Sequence, residues 1–267
     1  MKLTESKLRE IIQSEIKSLN EAKKQSVIKA SDIDIHDIVT SEIERLGNKA
    51  DLNHIDVSSV TNMLKLFSVY RDETTAEFNG DISKWNVSKV TDMGDLFRRC
   101  KFNGDISKWN VSNVVRMSGI FNTAEFNGDI SKWNVSKVTN MGYAFYSSNF
   151  NGDISSWDVS SVTNMGYAFN NTKFTGDISK WNVSKVTNMS FMFYAAKFNG
   201  DISKWDVSKV NWIKLIFDQS DFDGDVSKWD LSRVQVQDKY KVYRDAWFKG
   251  NDTVDALRPA GKRAWTR

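Results

Sequence analysis

A repeat of 24 residues runs through most of this chain and limits what it can fold into. The first full copy spans residues 78–101 and reads FNGDISKWNVSKVTDMGDLFRRCK, and it begins a run of seven copies without an insertion. A partial copy at residues 55–63 precedes them. A constant period between 20 and 50 residues is typical of solenoids, in which neighbouring repeats bury a shared core. We therefore expect one elongated repeat domain with a cap at each end.

Each copy is predicted to contain one short strand. Polar and apolar side chains alternate over residues 84–88, which places Trp85 and Val87 in the core. A turn at residues 79–81 precedes the strand, and Gly80 is expected to take a positive φ there. Stacking in register lays each tryptophan over the next one and builds an aromatic core.

A helical turn is predicted to follow the strand. Met93, Leu96 and Phe97 fall at i, i+3 and i+4, which is the spacing of side chains on one helix face. The predicted fold class is therefore an α/β repeat. We expect a solenoid with one short parallel strand and one short helical turn in each 24-residue repeat, closed by helical caps.

Two strings within the repeat resemble known families. The spacing Ile82-x-x-Trp85-x-Val87-x-x-Val90 resembles the L-x-x-L-x-L-x-x-N segment of leucine-rich repeats. The longer string W-[ND]-V-S-x-V-T-[ND]-M-x-x-x-F resembles the BspA-like bacterial surface leucine-rich repeat family. The resemblance implies a leucine-rich-repeat-like solenoid, curved and parallel-stranded, with an adhesin-like recognition role and no catalytic residues.

Two helices are predicted before the repeats. Residues 1–30 are expected to form an amphipathic helix and a linker, and residues 31–77 a capping helix with the partial repeat. Ser31 and Asp32 are expected to cap the second helix, and Gly47 to end it. The first helix has an apolar face that we interpret as an anchor on a protein partner. Its residues are Leu8, Ile11, Ile12, Ile16 and Leu19.

The opening residues 1–19 also resemble the openings of tailed-bacteriophage structural proteins. At the other end, the seven-repeat solenoid is expected to span residues 78–233, followed by a C-terminal cap and basic tail over residues 234–267. Aromatic residues at helical spacing in this last segment are expected to cover the open end of the core. They are Tyr240, Tyr243, Trp247 and Phe248.

Charge and composition exclude several classes of function. The chain has 37 basic and 34 acidic residues, so no nucleic-acid partner is expected. No apolar run is long enough to span a membrane, and no secretory signal follows Met1. Cys100 is the single cysteine and cannot form an intrachain disulfide. His36 and His54 have no catalytic partner at a recognisable spacing, so we expect neither an enzyme nor a cofactor.

Three columns of polar side chains are predicted to lie on the outer side of the strands. One hypothesis makes this surface a docking strip for a surface glycan or an anionic polymer. The alternative is that asparagine and serine hydrogen-bond along the stack while lysine keeps it soluble. The candidate residues are Lys84, Asn86, Ser88, Lys108, Asn110, Ser112, Lys132, Asn134, Ser136, Lys180, Asn182, Lys204 and Asp206.

Sequence variation is concentrated just after the last phenylalanine of each copy. Residues 98–101 read RRCK, whereas the next copies read NTAE, YSSN and NNTK. A surface that reads one irregular protein partner should differ from copy to copy, so this edge is the better candidate for protein contacts. A separate column of aspartates, Asp81, Asp105, Asp129 and their equivalents, raises the question of calcium, but each repeat offers one fixed carboxylate.

The function predicted from these observations is structural or recognitional. The first hypothesis is a phage virion component that displays the solenoid for subunit or host-surface contact. The alternative is a bacterial adhesin-like or scaffold protein, at the cell surface or in the cytoplasm, that binds a polysaccharide or a protein.

Overall fold

The structure is a computed structural model that describes residues 7, 9, 11–13, 27–68 and 73–234. Within these residues the elements are strand β1 (Ile28–Lys29), helix α1 (Ile35–Leu46), strand β2 (Ile55–Asp56) and helix α2 (Glu73–Ala76). The backbone at residues 7, 9 and 11–13 is also helical. The chain is a repeat protein with regularly spaced aromatic residues and a small parallel sheet.

Strand β1 begins the stack earlier than the sequence suggested. Ile28 pairs with Ile55 of β2 in parallel register, although residues 1–30 were predicted to contain only an amphipathic helix and a linker. The N–H of Ala30 also donates to the carbonyl of Asp56 at 2.9 Å. This short segment therefore supplies hydrogen-bonding partners to the exposed first turn of the repeats, which is the task of a cap.

Helix α1 packs its apolar side chains into the core. Ile35, Val39 and Ile43 are buried in the same cluster as the repeat side chains. The helix ends at Gly47, whose φ is 87° and whose N–H donates to Ile43 at 2.7 Å. The predicted start at residues 31–32 is wrong, because the carboxylate of Asp32 instead accepts from the backbone of Thr61 at 2.6 Å.

The repeats stack in register with the period read from the sequence. One parallel bridge joins each repeat to the next at the residue before the recurring methionine, whose place Ile213 takes after Trp212. The bridge residues are Asn62, Asp92, Arg116, Asn140, Asn164, Asn188 and Trp212. Because each bridge links residues at equivalent places, every side chain of one repeat lies beside its counterpart in the next.

The core between the repeats is aromatic, as predicted. Trp85 and Trp109 stack with centroids 6.4 Å apart, and Phe78 and Phe102 stack at 6.0 Å. The last phenylalanine of each copy lies between these two columns, so that Phe97 contacts Phe102 at 4.6 Å. Each buried aromatic ring removes roughly 150–250 Å² from water. The repeated rings are therefore the main source of apolar burial.

The predicted strand at residues 84–88 does not form, although its inside–outside pattern is correct. Trp85 and Val87 are buried while Lys84 and Asn86 are exposed. The backbone instead makes tight turns, in which Trp85 N–H donates to Ile82 and Val90 N–H donates to Val87. Neighbouring repeats meet here through the indole, because Nε1 of Trp109 donates to the carbonyl of Ile82 at 3.2 Å.

The predicted helical turn after Met93 is also replaced by consecutive β-turns. The N–H groups of Leu96, Arg98 and Cys100 donate to carbonyls three residues earlier within the repeat. The intervening N–H groups donate to the next repeat, from Asp95 to Ser118 at 2.8 Å and from Phe97 to Ile120 at 2.9 Å. A helix would keep all these hydrogen bonds inside one repeat, whereas in the turns half of them join neighbouring repeats.

In these turns, residues other than glycine adopt the left-handed backbone conformation. Asp95 has φ 51° and Arg99 has φ 56°, and most later repeats keep the pattern at the equivalent positions. Such a conformation costs of order 1 kcal/mol or more for a residue other than glycine. The inter-repeat bonds made by the same residues offset this cost.

Gly80 serves a purpose different from the one predicted. Its φ is not in the left-handed region, which among the described glycines holds only Gly47 and Gly119. A Cβ at Gly80 would lie 2.6 Å from Cε2 of Phe78, and one at Gly104 would lie 2.7 Å from the same atom of Phe102. Glycine is required here because the backbone passes directly over the phenylalanine ring.

The described residues end within the last repeat. Leu231 and Val234, the equivalents of Val87 and Val90, are buried there. The predicted C-terminal cap and basic tail, including Tyr240, Tyr243, Trp247 and Phe248, lie outside the described residues.

Candidate functional site

The predicted polar surface, called the lysine face here, consists of Lys84, Asn86, Ser88 and their equivalents 24 residues apart. Lys84 and Asn86 are exposed, and Ser88 is half-buried. The same exposure recurs in the later repeats at the residues named from the sequence. The structure therefore brings these side chains into one regular surface.

The asparagines of the lysine face have a local structural task. The Oδ1 atom of Asn86 accepts from the N–H of Ser88 at 3.2 Å, and Asn134 accepts from Ser136 at 3.1 Å. This is an Asx turn, in which the side chain replaces a backbone carbonyl. The alternative predicted that these asparagines hydrogen-bond along the stack, but their Oδ1 atoms accept within their own turns. That ladder is formed at the start of the repeat, where Asn79 accepts from the N–H of Asn103 at 2.9 Å.

The aspartate column is satisfied within its own turns. Asp105 accepts from the N–H of Ser107 at 2.9 Å, and hydrogen bonds from the Ser107 hydroxyl and N–H lower the pKa of this carboxyl. The equivalent carboxyls show the same direction with Ser83, Ser131 and their counterparts. Among the described residues no group of three or more potential metal-ligating side chains comes together.

A second surface, called the turn face here, consists of residues 92–99 and their equivalents 24 residues apart. Its outward positions differ from repeat to repeat, unlike those of the lysine face. The position of Asp95 is occupied in successive repeats by glycine, tyrosine, tyrosine, phenylalanine and leucine. The residues are Asp95, Gly119, Tyr143, Tyr167, Phe191 and Leu215.

Three of these residues form an aromatic column on the surface. Tyr143 stacks on Tyr167 with centroids 4.5 Å apart, and Tyr167 stacks on Phe191 at 4.6 Å. The ladder of backbone bonds beneath sets this spacing, because it holds neighbouring repeats at the distance of paired strands. Tyr143 is 43% exposed. Aromatic rings at a protein surface are enriched in binding sites, so the column is a candidate recognition element.

A cleft of about 580 Å³ lies beside the first ring of the aromatic column. Its lining includes Ser118, Gly119, Tyr143 and Tyr146, together with Asp95 and Arg98. Arg98 pairs with Asp95 at 3.4 Å. We call this the Gly119 cleft. It combines an aromatic wall with charged and hydroxyl groups.

A second cleft of about 520 Å³ lies toward the last repeats. It is lined by Phe191, Trp212 and polar residues that include Asn188 and Lys214. Trp212 occupies a bridge position that holds asparagine in the three preceding repeats, and it is 60% exposed. The turn face therefore carries an exposed aromatic group at each end of its column.

The side chains of His54 and Cys100 are largely buried. Nε2 of His54 lies 2.7 Å from Glu42, which also pairs with Arg45, so this cluster ties α1 to the partial repeat. Hydrogen bonding to Arg45 lowers the pKa of Glu42. Burial raises the pKa of Cys100 to about 12, which keeps the thiol protonated and unreactive.

The predicted anchoring helix is described only in part. Ile11 and Ile12 lie in helical backbone and are 40% and 48% exposed. Leu8, Ile16 and Leu19 lie outside the described residues. Among the described residues, no helix has both the length and the apolar character needed to cross a bilayer.

Sequence reasoning located the variable edge at residues 98–101 but missed the aromatic column. Part of the signal was present, because aligning the copies shows tyrosine or phenylalanine in three successive copies at the position of Asp95. Because a helical turn was predicted after Met93, the stacking of these aromatic side chains was not recognised. In the turns, the residue at this position donates its N–H to the next repeat, as Tyr143 does to Gly166 at 2.9 Å, and this register sets the ring of Tyr143 on that of Tyr167.

The sequence also matches a described family. No curated protein and no solved structure matches the chain. The family described as Mycoplasma protein of unknown function, DUF285, matches residues 37–149 and again residues 144–252. The two matches together cover more than half of the 267 residues. The chain therefore belongs to the DUF285 family of repeat proteins, which the family description associates with Mycoplasma.

Proposed function

We propose that this chain is a non-enzymatic recognition protein that presents the turn face to a partner. The observation that carries the proposal is the contrast between two surfaces of the same stack. The lysine face repeats almost unchanged, and its asparagines are used for Asx turns. The turn face varies and carries exposed aromatic residues, with Tyr143 at 43% and Trp212 at 60% exposure.

The physical argument concerns what each surface can distinguish. A column of identical side chains offers the same contacts at every repeat and cannot fix the register of a partner. The turn face differs at each step, from Asp95 to Tyr143 to Leu215, and so offers a unique sequence of contacts. Tyrosine and tryptophan also supply large contact areas at low conformational cost, which is typical of binding surfaces.

As the setting, we propose a phage virion, in which the N-terminal helix anchors the chain and a leucine-rich-repeat-like solenoid projects toward a subunit or a host surface. The apolar face of residues 8–19 and the resemblance of the opening residues to tailed-phage proteins support this setting. No nucleic-acid partner is part of the proposal, because positive and negative charges nearly balance.

A second setting is a bacterial adhesin-like or scaffold protein that binds a polysaccharide or a protein. The family description, which names Mycoplasma, favours it. The resemblance of the repeat string to BspA-like surface proteins points the same way. Recognition through the turn face is common to both settings.

The setting is tested by fractionating the source material by density and identifying this chain by mass spectrometry. A fixed stoichiometry with particle proteins is expected for a virion component. Recovery with the cell envelope alone would favour the adhesin-like setting.

The face is tested in the same material by photocrosslinking. A photoreactive phenylalanine analogue is introduced at position 167 on the turn face and, as a matched control, at position 132 on the lysine face. Crosslinks to a partner are expected from position 167 only. Crosslinks confined to position 132 would contradict the assignment of the binding face.

A further inference from the structure

The aromatic column ends at Tyr143 on the side of the preceding repeat. Tyr143 is followed by Tyr167, which stacks on it at 4.5 Å with an interplanar angle of 7°. On the other side the preceding repeat has Gly119, which carries no side chain. Tyr143 therefore turns a ring face toward the Gly119 cleft, which agrees with its 43% exposure.

The backbone hydrogen bonds between neighbouring repeats set the width of the Gly119 cleft. Asp95 and Tyr143 lie two repeats apart, and paired strands are about 4.7–4.9 Å apart, so their backbones are separated by roughly 9–10 Å. Gly119 lies between them, and the carboxylate of Asp95 extends over it, so that a Cβ at Gly119 would collide with Oδ1 of Asp95. The volume of about 580 Å³ falls within the range of small-molecule sites. One ring-sized group fits against Tyr143.

The other groups of the cleft are polar. They include Asp95, Arg98, Asn122 and Thr123, and the Thr123 hydroxyl donates to Asn122 at 2.9 Å. An apolar side chain of a peptide would desolvate these groups without replacing their hydrogen bonds, which is unfavourable. The occupant should therefore have one apolar face and a rim of hydrogen-bonding groups.

A pyranose ring has this distribution of groups. Its axial C–H bonds form an apolar face with a positive partial charge, which is attracted to the negative face of an aromatic ring. Its hydroxyl groups lie around the edge and both donate and accept. A guanidinium and a carboxylate, such as those of Arg98 and Asp95, are suitable partners for hydroxyls.

We propose that the Gly119 cleft is a carbohydrate site in which a pyranose ring of a glycan stacks on Tyr143 and hydrogen-bonds to Asp95 and Arg98. The inference rests on the proposed recognition function and names the ligand class of its turn face. It places the glycan on the turn face, and not on the lysine face where the sequence suggested it.

The phenol of Tyr143 is suited to this role. Burial is the main cause that raises its pKa above the ordinary value, and contact with Tyr167 acts in the same direction. The hydroxyl therefore stays neutral at physiological pH and can donate to a sugar oxygen.

The test uses the full chain on a printed array of bacterial and host glycans, followed by calorimetric titration of the strongest glycan on the array. Two variants remove the site in opposite ways. Tyr143→Ala removes the stacking wall. Gly119→Tyr fills the cleft and displaces the carboxylate of Asp95, with which a Cβ at this position would collide, and Tyr143 and Tyr167 show that tyrosine tolerates φ near 60° at the equivalent positions. Lys132→Ser on the lysine face is the matched control.

Glycan binding by the parent is expected, with a loss of at least tenfold in affinity for both variants and no change for Lys132→Ser. Circular dichroism of Tyr143→Ala, an exposed position, checks that the fold is retained. The absence of any glycan binding by the parent would overturn the proposal, as would equal affinity of the parent and Gly119→Tyr.

The two proposals fail in distinguishable ways. If no glycan binds while position 167 still crosslinks to a protein partner, the carbohydrate site is wrong and the recognition function stands. If neither binding nor crosslinking is found, both proposals are wrong.

Discussion

The indole nitrogen of Trp157 donates a hydrogen bond of 3.1 Å to the carbonyl oxygen of Ile130 in the preceding repeat. The same bond is made by every tryptophan of the column, from Trp85 to Trp229. It joins the repeats on the side where the backbone forms tight turns and no ladder. Tryptophan is therefore both the largest apolar group of each repeat and a cross-link between repeats.

Removing one tryptophan should open the middle of the stack. Trp157→Ala is expected to lower the free energy of unfolding by about 3–5 kcal/mol, because it leaves a cavity and removes the indole bond. Trp157→Phe should cost less, since the carbonyl of Ile130 still accepts from the N–H of Trp133 at 3.1 Å. Denaturant unfolding followed by circular dichroism measures both. An alanine variant as stable as the parent would refute the inward tryptophan column.

Adding one methyl group beneath a phenylalanine should also destabilise the stack. A Cβ at Gly152 would lie 2.8 Å from both Cε2 and Cζ of Phe150, so either the ring or the backbone must shift. Gly152→Ala is expected to lower the free energy of unfolding by about 1–3 kcal/mol. Lys132→Ala, at an exposed position, is the control and should be nearly neutral. A neutral Gly152→Ala would show that the close approach is not required.

The aspartate column should make stability depend on pH on the acid side. Hydrogen bonds from the N–H and hydroxyl of Ser155 lower the pKa of Asp153 below its ordinary value of 3.8, and six equivalent carboxyls show the same direction. A carboxyl whose pKa is lower in the folded state stabilises it above the unfolded pKa, and this stability is lost as pH falls through the folded pKa. Stability should therefore be constant above about pH 5 and fall below about pH 4.

Replacing these aspartates by asparagine removes the negative charge and keeps the turn, so it separates the two contributions to stability. The combined variant Asp129→Asn, Asp153→Asn and Asp177→Asn keeps the acceptor of each Asx turn, as Asn134 does on the lysine face. We expect a shallower loss of stability on acidification with little change at neutral pH. Unfolding midpoints measured across the acid range check this. An unchanged slope would assign the acid sensitivity to other groups.

Calcium should have no effect on stability. Each carboxyl of the column already accepts from its own turn, as Asp177 does from the N–H of Ser179 at 2.9 Å, and calcium requires six to eight oxygen ligands. The thermal unfolding midpoint is expected to be the same in millimolar calcium and in EDTA. A rise in calcium that the triple asparagine variant abolishes would contradict this prediction.

The period of the sequence was sufficient to predict the stack and its core. Trp85, Val87 and Phe97 are buried as expected because, in a repeat, an apolar residue that recurs in every copy has its own counterparts as neighbours. The helix α1 and its end at Gly47 were also predictable from an apolar stripe and a terminal glycine.

The path of the backbone within each repeat was not predictable in the same way. Met93, Leu96 and Phe97 have helical spacing, but the same spacing buries them in consecutive turns. Whether a helix or consecutive turns form depends on hydrogen bonds to the next repeat and on left-handed backbone at residues such as Asp95 and Arg99. The types of the side chains reveal neither of these features. The geometry of the turn face and its cleft depends on that path, so the structure was needed to place these side chains on one surface.

The central claim is that the turn face, and not the lysine face, carries recognition. The most direct measurement compares two variants for binding to the partner fraction of the source material by surface plasmon resonance. One variant changes Tyr143, Tyr167 and Phe191 to serine. The other changes the column lysines to serine, which their exposure should allow without loss of folding. They are Lys84, Lys108, Lys132, Lys180, Lys204 and Lys228.

We predict that the aromatic variant loses binding by tenfold or more while the lysine variant keeps it. The lysine variant should lose only salt-dependent attraction to anionic polymers. Loss of binding in the lysine variant together with full binding by the aromatic variant would contradict the account.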